Sequence, residues 1–314
     1  MTIAFVFPGQ GSQAVGMLDA FAALPEVASL IAAADAALGE PLSALIAQGP
    51  ADDLALTVNT QPAMLLAGYA CCAAWRAAGG PSAVAVAGHS LGEYTALTAA
   101  GALALDEALR LVRVRARAMQ EAVPVGTGGM AVIMGLDDEP VRAVCVAASQ
   151  PGDVVEAVNF NAPGQVVIAG HKAAVERACA GAKQAGAKRA LPLPVSAPFH
   201  SSLLAPAGLR LREALQGARL VSPGIALVNN VDVAIETEPA RIADALVRQA
   251  SSPVRWVEVV QRLKAQGVDT FIEFGPGKVL TGLIPRIDKS LRAFAVFDPA
   301  SLQAALAAVA GSAA

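Results

Sequence analysis

The stretch from Val84 to Tyr94 constrains this chain more than any other. A short apolar run, Val84-Ala85-Val86-Ala87, ends at Gly88; Ser90 stands two residues on, Gly92 two beyond that, and helical character continues to Gly101. G-x-S-x-G between a buried strand and a helix is a nucleophile elbow. Its two glycines let strand and helix pass close together while the serine takes a strained backbone angle that exposes its hydroxyl. The Leu91 amide, in the first turn of the helix, then points at an oxyanion forming on an attacked carbonyl. The plainer alternative is a serine that merely caps a helix. A cap needs neither the flanking glycines nor the adjacent His89.

The rest of the chain must support such an elbow, and its composition allows it. With 314 residues, 55% hydrophobic and 16% charged, the chain can bury one large α/β core with a smaller inserted one. Acidic residues number 26 against 23 basic, which leaves no broad positive field for nucleic acid. Glycine, proline or charge interrupts every apolar run before about 18 residues, so no membrane span is expected. The opening residues, Thr2-Ile3-Ala4-Phe5-Val6-Phe7-Pro8, lack a basic segment and read as a buried strand, not a signal peptide. Cys71, Cys72, Cys145 and Cys179 show no metal spacing and fit small core residues in a reducing, cytoplasmic compartment.

In chain order, the first strand stops at Pro8-Gly9-Gln10-Gly11-Ser12-Gln13. This loop lacks both the phosphate-cradling lysine motif and a full G-x-G-x-x-G. Leaving the carboxyl end of a strand beside the elbow, its amides are the natural second half of an oxyanion hole. Helical patterns follow at 18–38 and 62–79, the second opening on Asn59-Thr60-Gln61-Pro62. A helix starting at Leu105-Asp106-Glu107, capped by Asp106, runs to about 122 and carries Arg110, Arg113, Arg115 and Arg117. Arg113 and Arg117 share a face that Arg115 does not. A solvated face is the ordinary reading of such a run, but an arginine turned into the sheet needs a partner anion.

From 125 to 194 the pattern reads β-α-β-β-α-β: strands at 129–135, 154–160, 165–169 and 187–193, helices at 137–148 and 171–185. Alternation of helices and strands then resumes, with strands at 225–230, 269–274 and 293–297. The expected fold is α/β, a mostly parallel sheet covered by helices in an α/β-hydrolase-like large subdomain (1–124 and 195–314), with an inserted ferredoxin-like small subdomain (125–194).

A serine nucleophile needs a base, and the chain has three histidines. His89 adjoins the nucleophile, but neighbours diverge at a sharp turn, so it is a structural or substrate-contacting residue. His171 opens a helix of the inserted unit. Elimination leaves His200, in the proline-bounded loop that re-enters the large subdomain, as the base; the alternative is a satisfied buried histidine or a helix cap. Three scattered imidazoles build no zinc site.

With these motifs set out, the chain closely resembles the malonyl-CoA:acyl-carrier-protein transacylases of fatty acid synthesis, and more distantly the acyltransferase domains of polyketide and animal-type fatty acid synthases. The resemblance spans essentially the whole chain. It rests on F-P-G-Q-G-S-Q (Phe7 to Gln13), G-H-S-L-G-E-Y (Gly88 to Tyr94), R-A-R-A-M-Q-E-A (Arg115 to Ala122), N-F-N-A-P-G-Q-V-V-I-A-G (Asn159 to Gly170), the His200 loop, V-N-N-V (Val228 to Val231) and G-P-G-K-V-L (Gly275 to Leu280).

The resemblance implies an acyltransferase that moves malonyl from malonyl-CoA to a carrier-protein thiol by a ping-pong route. Ser90 would be the nucleophile, His200 the base and the amides of Gln10 and Leu91 the oxyanion hole. Arg115 would clamp the malonyl carboxylate, and the Gln249 carbonyl would orient the histidine. His89, Phe199 and Asn159 are expected in the substrate pocket, the Phe199-His200 pair going with malonyl selection. Malonyl-CoA, a coenzyme A thioester, is then a substrate and no tightly bound cofactor or metal is expected; acyl carrier protein is a transient partner, nucleic acid and membrane are not partners, and a monomer is expected. Other readings are a malonate decarboxylase subunit, a discrete polyketide synthase acyltransferase, a serine hydrolase, or a non-catalytic carrier-protein docking module.

Overall fold

The apolar runs before the Pro8–Gln13 loop and before the elbow are buried strands, β1 (Ile3–Phe7) and β2 (Ala85–Gly88), covered on both faces as parallel strands are. The computed structural model describes residues 1–195 and 197–311. The middle of the chain adds β3 (Gly128–Met134), β4 (Val155–Ala162), β5 (Gln165–His171) and β6 (Arg189–Pro192). The later part adds β7 (Ala226–Val228), β8 (Thr270–Phe274) and β9 (Arg292–Val296).

These strands separate into two sheets, one of order β7-β2-β1-β8-β9 and one of order β4-β5-β3-β6. Every pairing in the first is parallel and every pairing in the second antiparallel. The second is the split β-α-β arrangement expected of the inserted unit, with helices Asp138–Ala148 and Lys172–Gln184 on one face. Its other face is not free. Met130, Val158, Val167 and Ala169 join the main core, and the Val254 backbone exchanges hydrogen bonds with Val158 and Phe160.

Aromatic packing anchors the large sheet. Phe5 meets the Phe274 ring edge-on at 4.8 Å, and Trp75 from helix Thr57–Ala77 closes on Phe274 at 5.8 Å. Such offset contacts suit the ring quadrupoles. Helix Thr57–Ala77 is buried along most of its length, so it lies beneath the sheet, not on the surface.

Several local expectations need correction. The helix expected at 18–38 spans only Pro25–Leu38, because turns occupy the preceding residues. The helix expected at 62–79 begins at Thr57, which leaves Pro62 inside it and Asn59 and Thr60 within the first turns, not capping it; there they bond the Asp53 and Leu54 carbonyls of the short helix Ala51–Ala55. Asp106 is not a cap: Ala104 holds that position, and Asp106 sits in the first turn, where its charge faces the positive end of the dipole and pairs with Arg110. Arg113 departs from the solvated-face reading too, being buried against Glu40 while Arg117 is exposed. Among the described residues no helix is long and apolar enough to cross a membrane.

Candidate active site

Sterics build the elbow. A Cβ on Gly88 would lie 1.8 Å from the Gly92 carbonyl carbon, and one on Gly92 would lie 2.0 Å from the Phe7 carbonyl oxygen. Neither position tolerates a side chain, because β2, the elbow helix Gly92–Ala99 and the end of β1 touch through bare backbone. Ser90 is forced to φ 54°, a left-handed conformation costing roughly 1–3 kcal/mol that the surroundings must hold in place. Asn230, just past β7, supplies part of that hold. Its Oδ1 accepts from the Ser90 amide at 2.7 Å and its Nδ2 donates to the Gly88 carbonyl at 2.7 Å.

His200 reaches the serine from a loop outside the sheet, and its own φ is 66°. The loop is pinned locally by the Ser201 hydroxyl, which donates to the Pro198 carbonyl at 2.7 Å. The imidazole bridges two partners: Nε2 lies 2.6 Å from Ser90 Oγ and Nδ1 2.9 Å from the Gln249 main-chain oxygen. A carbonyl only accepts, so Nδ1 carries the hydrogen and Nε2 is left as an acceptor for the serine proton. Burial, and then the Arg115 charge, lower the imidazole to about 3, which keeps it neutral at ordinary pH.

Arg115 projects from the middle of helix Leu105–Glu121 and is 2% exposed. Nη1 donates to Gln61 Oε1 at 2.8 Å, and Nη2 donates to Gln249 Oε1 at 2.9 Å and to Ser90 Oγ at 3.1 Å. Its Nε finds no acceptor among the described residues, and the Tyr94 ring lies 5.5 Å from the guanidinium carbon. Its hydrogen-bond partners among the described residues are all neutral oxygens. A buried cation held this way, with its tip on the nucleophile, has the chemistry to bind an anionic group brought to the serine.

Gln249, the last residue of helix Pro239–Gln249, serves the site with both main chain and side chain. Beyond its carbonyl bond to His200, its Nε2 donates to the Ser90 carbonyl at 3.1 Å and to Glu93 Oε2 at 2.7 Å. Glu93 Oε2 also accepts from the Asn230 amide at 3.0 Å. Burial raises this carboxyl to about 7, against the lowering effect of those hydrogen bonds and of Arg115.

The elbow amides are almost all engaged. Those of His89, Ser90, Gly92, Glu93 and Tyr94 donate to Phe7, Asn230, His89, Ser90 and Leu91 respectively. The Leu91 amide has no such partner among the described residues. Beside it runs the Pro8–Gln13 loop: a Cβ on Gly9 would lie 2.9 Å from the His89 carbonyl oxygen.

The remaining expected site residues are less tightly gathered. His89 Nε2 lies 2.8 Å from Asn161 Oδ1, which ties the elbow to the antiparallel sheet. Asn159, two residues earlier on β4, is buried with its Oδ1 unpartnered among the described residues and makes no hydrogen bond to the Ser90 cluster. Phe199 packs into the main core beside His200. Sequence reasoning missed Gln61, Glu93 and Asn230 as members of the cluster. A signal existed for each: a glutamine in a helix of buried neighbours, a carboxylate in a wholly buried helix, and an asparagine directly after a buried strand.

No group of three His, Cys, Asp or Glu side chains converges as a metal site among the described residues, and the four cysteines are unpaired.

Residues 4–310 match the family model for the acyl transferase domain. The chain is 55% identical over 304 residues to the malonyl CoA-acyl carrier protein transacylase of Salmonella typhimurium, covering 96% of this chain and 98% of the relative. It is 44% identical to the protein of that name from Bacillus subtilis, covering 97% and 96%. Among solved structures it is similar to an acyl-carrier-protein S-malonyltransferase from Burkholderia pseudomallei, with 64% identity, TM-score 0.95, and coverage of 98% of this chain and 100% of the other. A malonyl-transacylase solved in complex with its type II PKS acyl-carrier protein matches with 51% identity, TM-score 0.95, and coverage of 98% and 100%. A strained serine on an imidazole is the nucleophile arrangement an acyl transferase requires, and the chain belongs to the malonyl-CoA:acyl carrier protein transacylase family.

Proposed function

We infer that the protein transfers a malonyl group from malonyl-CoA to the thiol of an acyl carrier protein, through a malonyl ester of Ser90. The observation that carries this reading is the Arg115 guanidinium, bonded among the described residues to neutral oxygens and 3.1 Å from the attacking hydroxyl. In the first half-reaction His200 Nε2 takes the Ser90 proton as Oγ attacks the thioester carbonyl. The developing oxyanion is received by the Leu91 amide and by the Gln10 amide of the neighbouring loop. Collapse of the tetrahedral adduct breaks the carbon–sulfur bond, and the imidazolium returns its proton to the departing coenzyme A sulfur. The second half-reaction runs the same steps backwards from the phosphopantetheine thiol of the carrier protein. The relative solved with its own acyl-carrier protein supports that partner.

Gln249 fixes the tautomer that makes this possible, taking the place that a carboxylate holds in other serine enzymes. Arg115 holds the malonyl carboxylate by its two-pronged donor edge. The acyl group is thereby oriented for a thiol entering the channel, while water is poorly aligned. Intact mass after incubation with malonyl-CoA tests the reading: one malonyl adduct is expected, discharged by added carrier protein and absent in Ser90→Ala. An adduct that persists in Ser90→Ala would assign the nucleophile elsewhere. Rapid loss of the adduct to water without carrier protein would make the protein a hydrolase.

A further inference from the structure

Glu93 is the second charged side chain of the Ser90 cluster, and no step of the transfer uses it. It stands in the first turn of the elbow helix, 1% exposed. A carboxylate only accepts hydrogen bonds, so the Gln249 amide turns its nitrogen toward Glu93, at 2.7 Å, and its oxygen toward Arg115, at 2.9 Å. One amide group thus separates a buried anion from a buried cation that has no carboxylate bonded to it among the described residues.

We propose that Glu93 is the resident counter-charge of Arg115 and sets how strongly the guanidinium draws in the acyl carboxylate, which makes it a specificity-determining residue for acyl-group selection. The proposal rests on Arg115 reading that carboxylate. A lone guanidinium in a dry pocket is costly and attracts any small anion; with Glu93 across the amide, the empty site is close to neutral. A malonyl group then brings a second anion into the field of the first, and the like charges oppose each other. Glu93 moderates the grip of Arg115 so that the malonyl group is admitted and passed on instead of being trapped. An acetyl group carries no charge and is indifferent to Glu93.

Glu93→Gln isolates this effect, because the amide oxygen still accepts from Asn230 and Gln249 while the charge is gone. The expected result is a rise of about fivefold or more in the kcat/KM ratio of malonyl-CoA to acetyl-CoA. A larger malonyl-Ser90 fraction at a fixed ratio of malonyl-CoA to coenzyme A, read by intact mass, should accompany it. The double variant Glu93→Gln/Arg115→Ala should have the ratio of Arg115→Ala alone, since the charge acts through the guanidinium. A merely structural role would lower both substrates together and leave the ratio where it was, and a role confined to hydrogen-bond geometry would lower the ratio; either overturns the proposal. Arg115→Ala separates the two layers: if it leaves the ratio intact, the carboxylate reading itself fails. If it collapses the ratio while Glu93→Gln does not raise it, only the role of Glu93 falls.

The unaltered protein offers an independent test through pH. Glu93 titrates at about 7. The charged and titratable groups facing it are Arg115 from helix Leu105–Glu121, Tyr94 from its own helix, pushed up to about 12 by burial, and Asp232, held below the usual carboxylate range by Arg248. None of these changes charge between about pH 6 and 8, so the malonyl preference should fall across that interval as Glu93 ionises, and stay level in Glu93→Gln. A level profile in the unaltered protein, or the same slope in the variant, overturns the proposal.

Discussion

Two faces of one helix, Leu105–Glu121, bury an arginine each and satisfy it in opposite ways. Arg113 is 8% exposed and forms an ion pair with Glu40, whose own side chain is half in solvent. Arg115, two residues on and 2% exposed, has Gln61, Gln249 and Ser90 as its hydrogen-bond partners. The same residue type in the same helix is thus closed on one side and open on the other. A buried cation that already has its anion is a structural element; one cradled by neutral oxygens keeps its charge for a ligand. Burial alone would not have separated the two, but the chemistry of their partners does.

The largest expected effect comes from removing the open one. On the proposed reading of Arg115 as the carboxylate clamp, Arg115→Ala should strand the malonyl carboxylate without its donor and cost about 2–5 kcal/mol in kcat/KM for malonyl-CoA, with little loss for acetyl-CoA. Arg115→Lys keeps the charge without the two-pronged edge and should recover only part of that loss. Equal slowing of both substrates by Arg115→Ala would erase the distinction between the two faces.

Much of this was legible before any coordinates. The elbow, the alternation of strands and helices, and the β-α-β-β-α-β unit follow from local patterns of glycine and apolar runs, and the contact between Ser90 and His200 is narrowed down by there being only three histidines. Helix boundaries were less legible, as at 18–24, where tertiary packing and not propensity decides whether turns tighten into a helix. The burial of Arg113 is not legible locally for a related reason. Helical spacing fixes which residues share a face, but only the fold brings Glu40 over that face. Glu93 and Asn230 escaped because their roles arise from β7 lying beside β2, a long-range adjacency with no local signature.

A second, intermediate effect concerns the buried anion opposite Arg115. Glu93 has a folded value of about 7 against an ordinary 4.5. Below about pH 4.5 the carboxyl is protonated in folded and unfolded chains alike and has no effect; above it the unfolded chain loses the proton first, so stability falls as pH rises and levels off beyond about 7. Glu93→Gln should therefore be more stable than the unaltered protein at pH 8 by on the order of 3 kcal/mol, with the gap closing toward pH 5. His200, kept neutral by burial, costs stability below its ordinary 6.5 in both proteins and cancels in the difference. Thermal melts of both proteins from about pH 5 to 8 measure the gap; one that stays constant would mean that folding leaves the Glu93 carboxyl unshifted, and one that keeps widening beyond about pH 7 that it stays protonated in the folded state.

The smallest effect is expected on the closed face, and it is the one that gives the contrast its meaning. Arg113→Ala removes a mostly buried stem and one end of an ion pair, but the Glu40 left behind is 43% exposed in its side chain and regains water readily. No buried charge is orphaned, so the cost should be about 1 kcal/mol of folding stability, mostly lost packing of the arginine stem. Arg117, exposed on the next turn, is the natural control, and Arg117→Ala should fall within about 0.5 kcal/mol of the unaltered protein. Neither change touches the Ser90 cluster, so the malonyl-to-acetyl ratio should hold in both while only the melting temperature of Arg113→Ala drops. Urea denaturation alongside the two-substrate assay reads both quantities on the same preparations. If Arg113→Ala shifted the acyl preference as Arg115→Ala does, the ion pair with Glu40 would not be a closed structural contact, and the rule that the partner decides a buried arginine's role would fail in this helix.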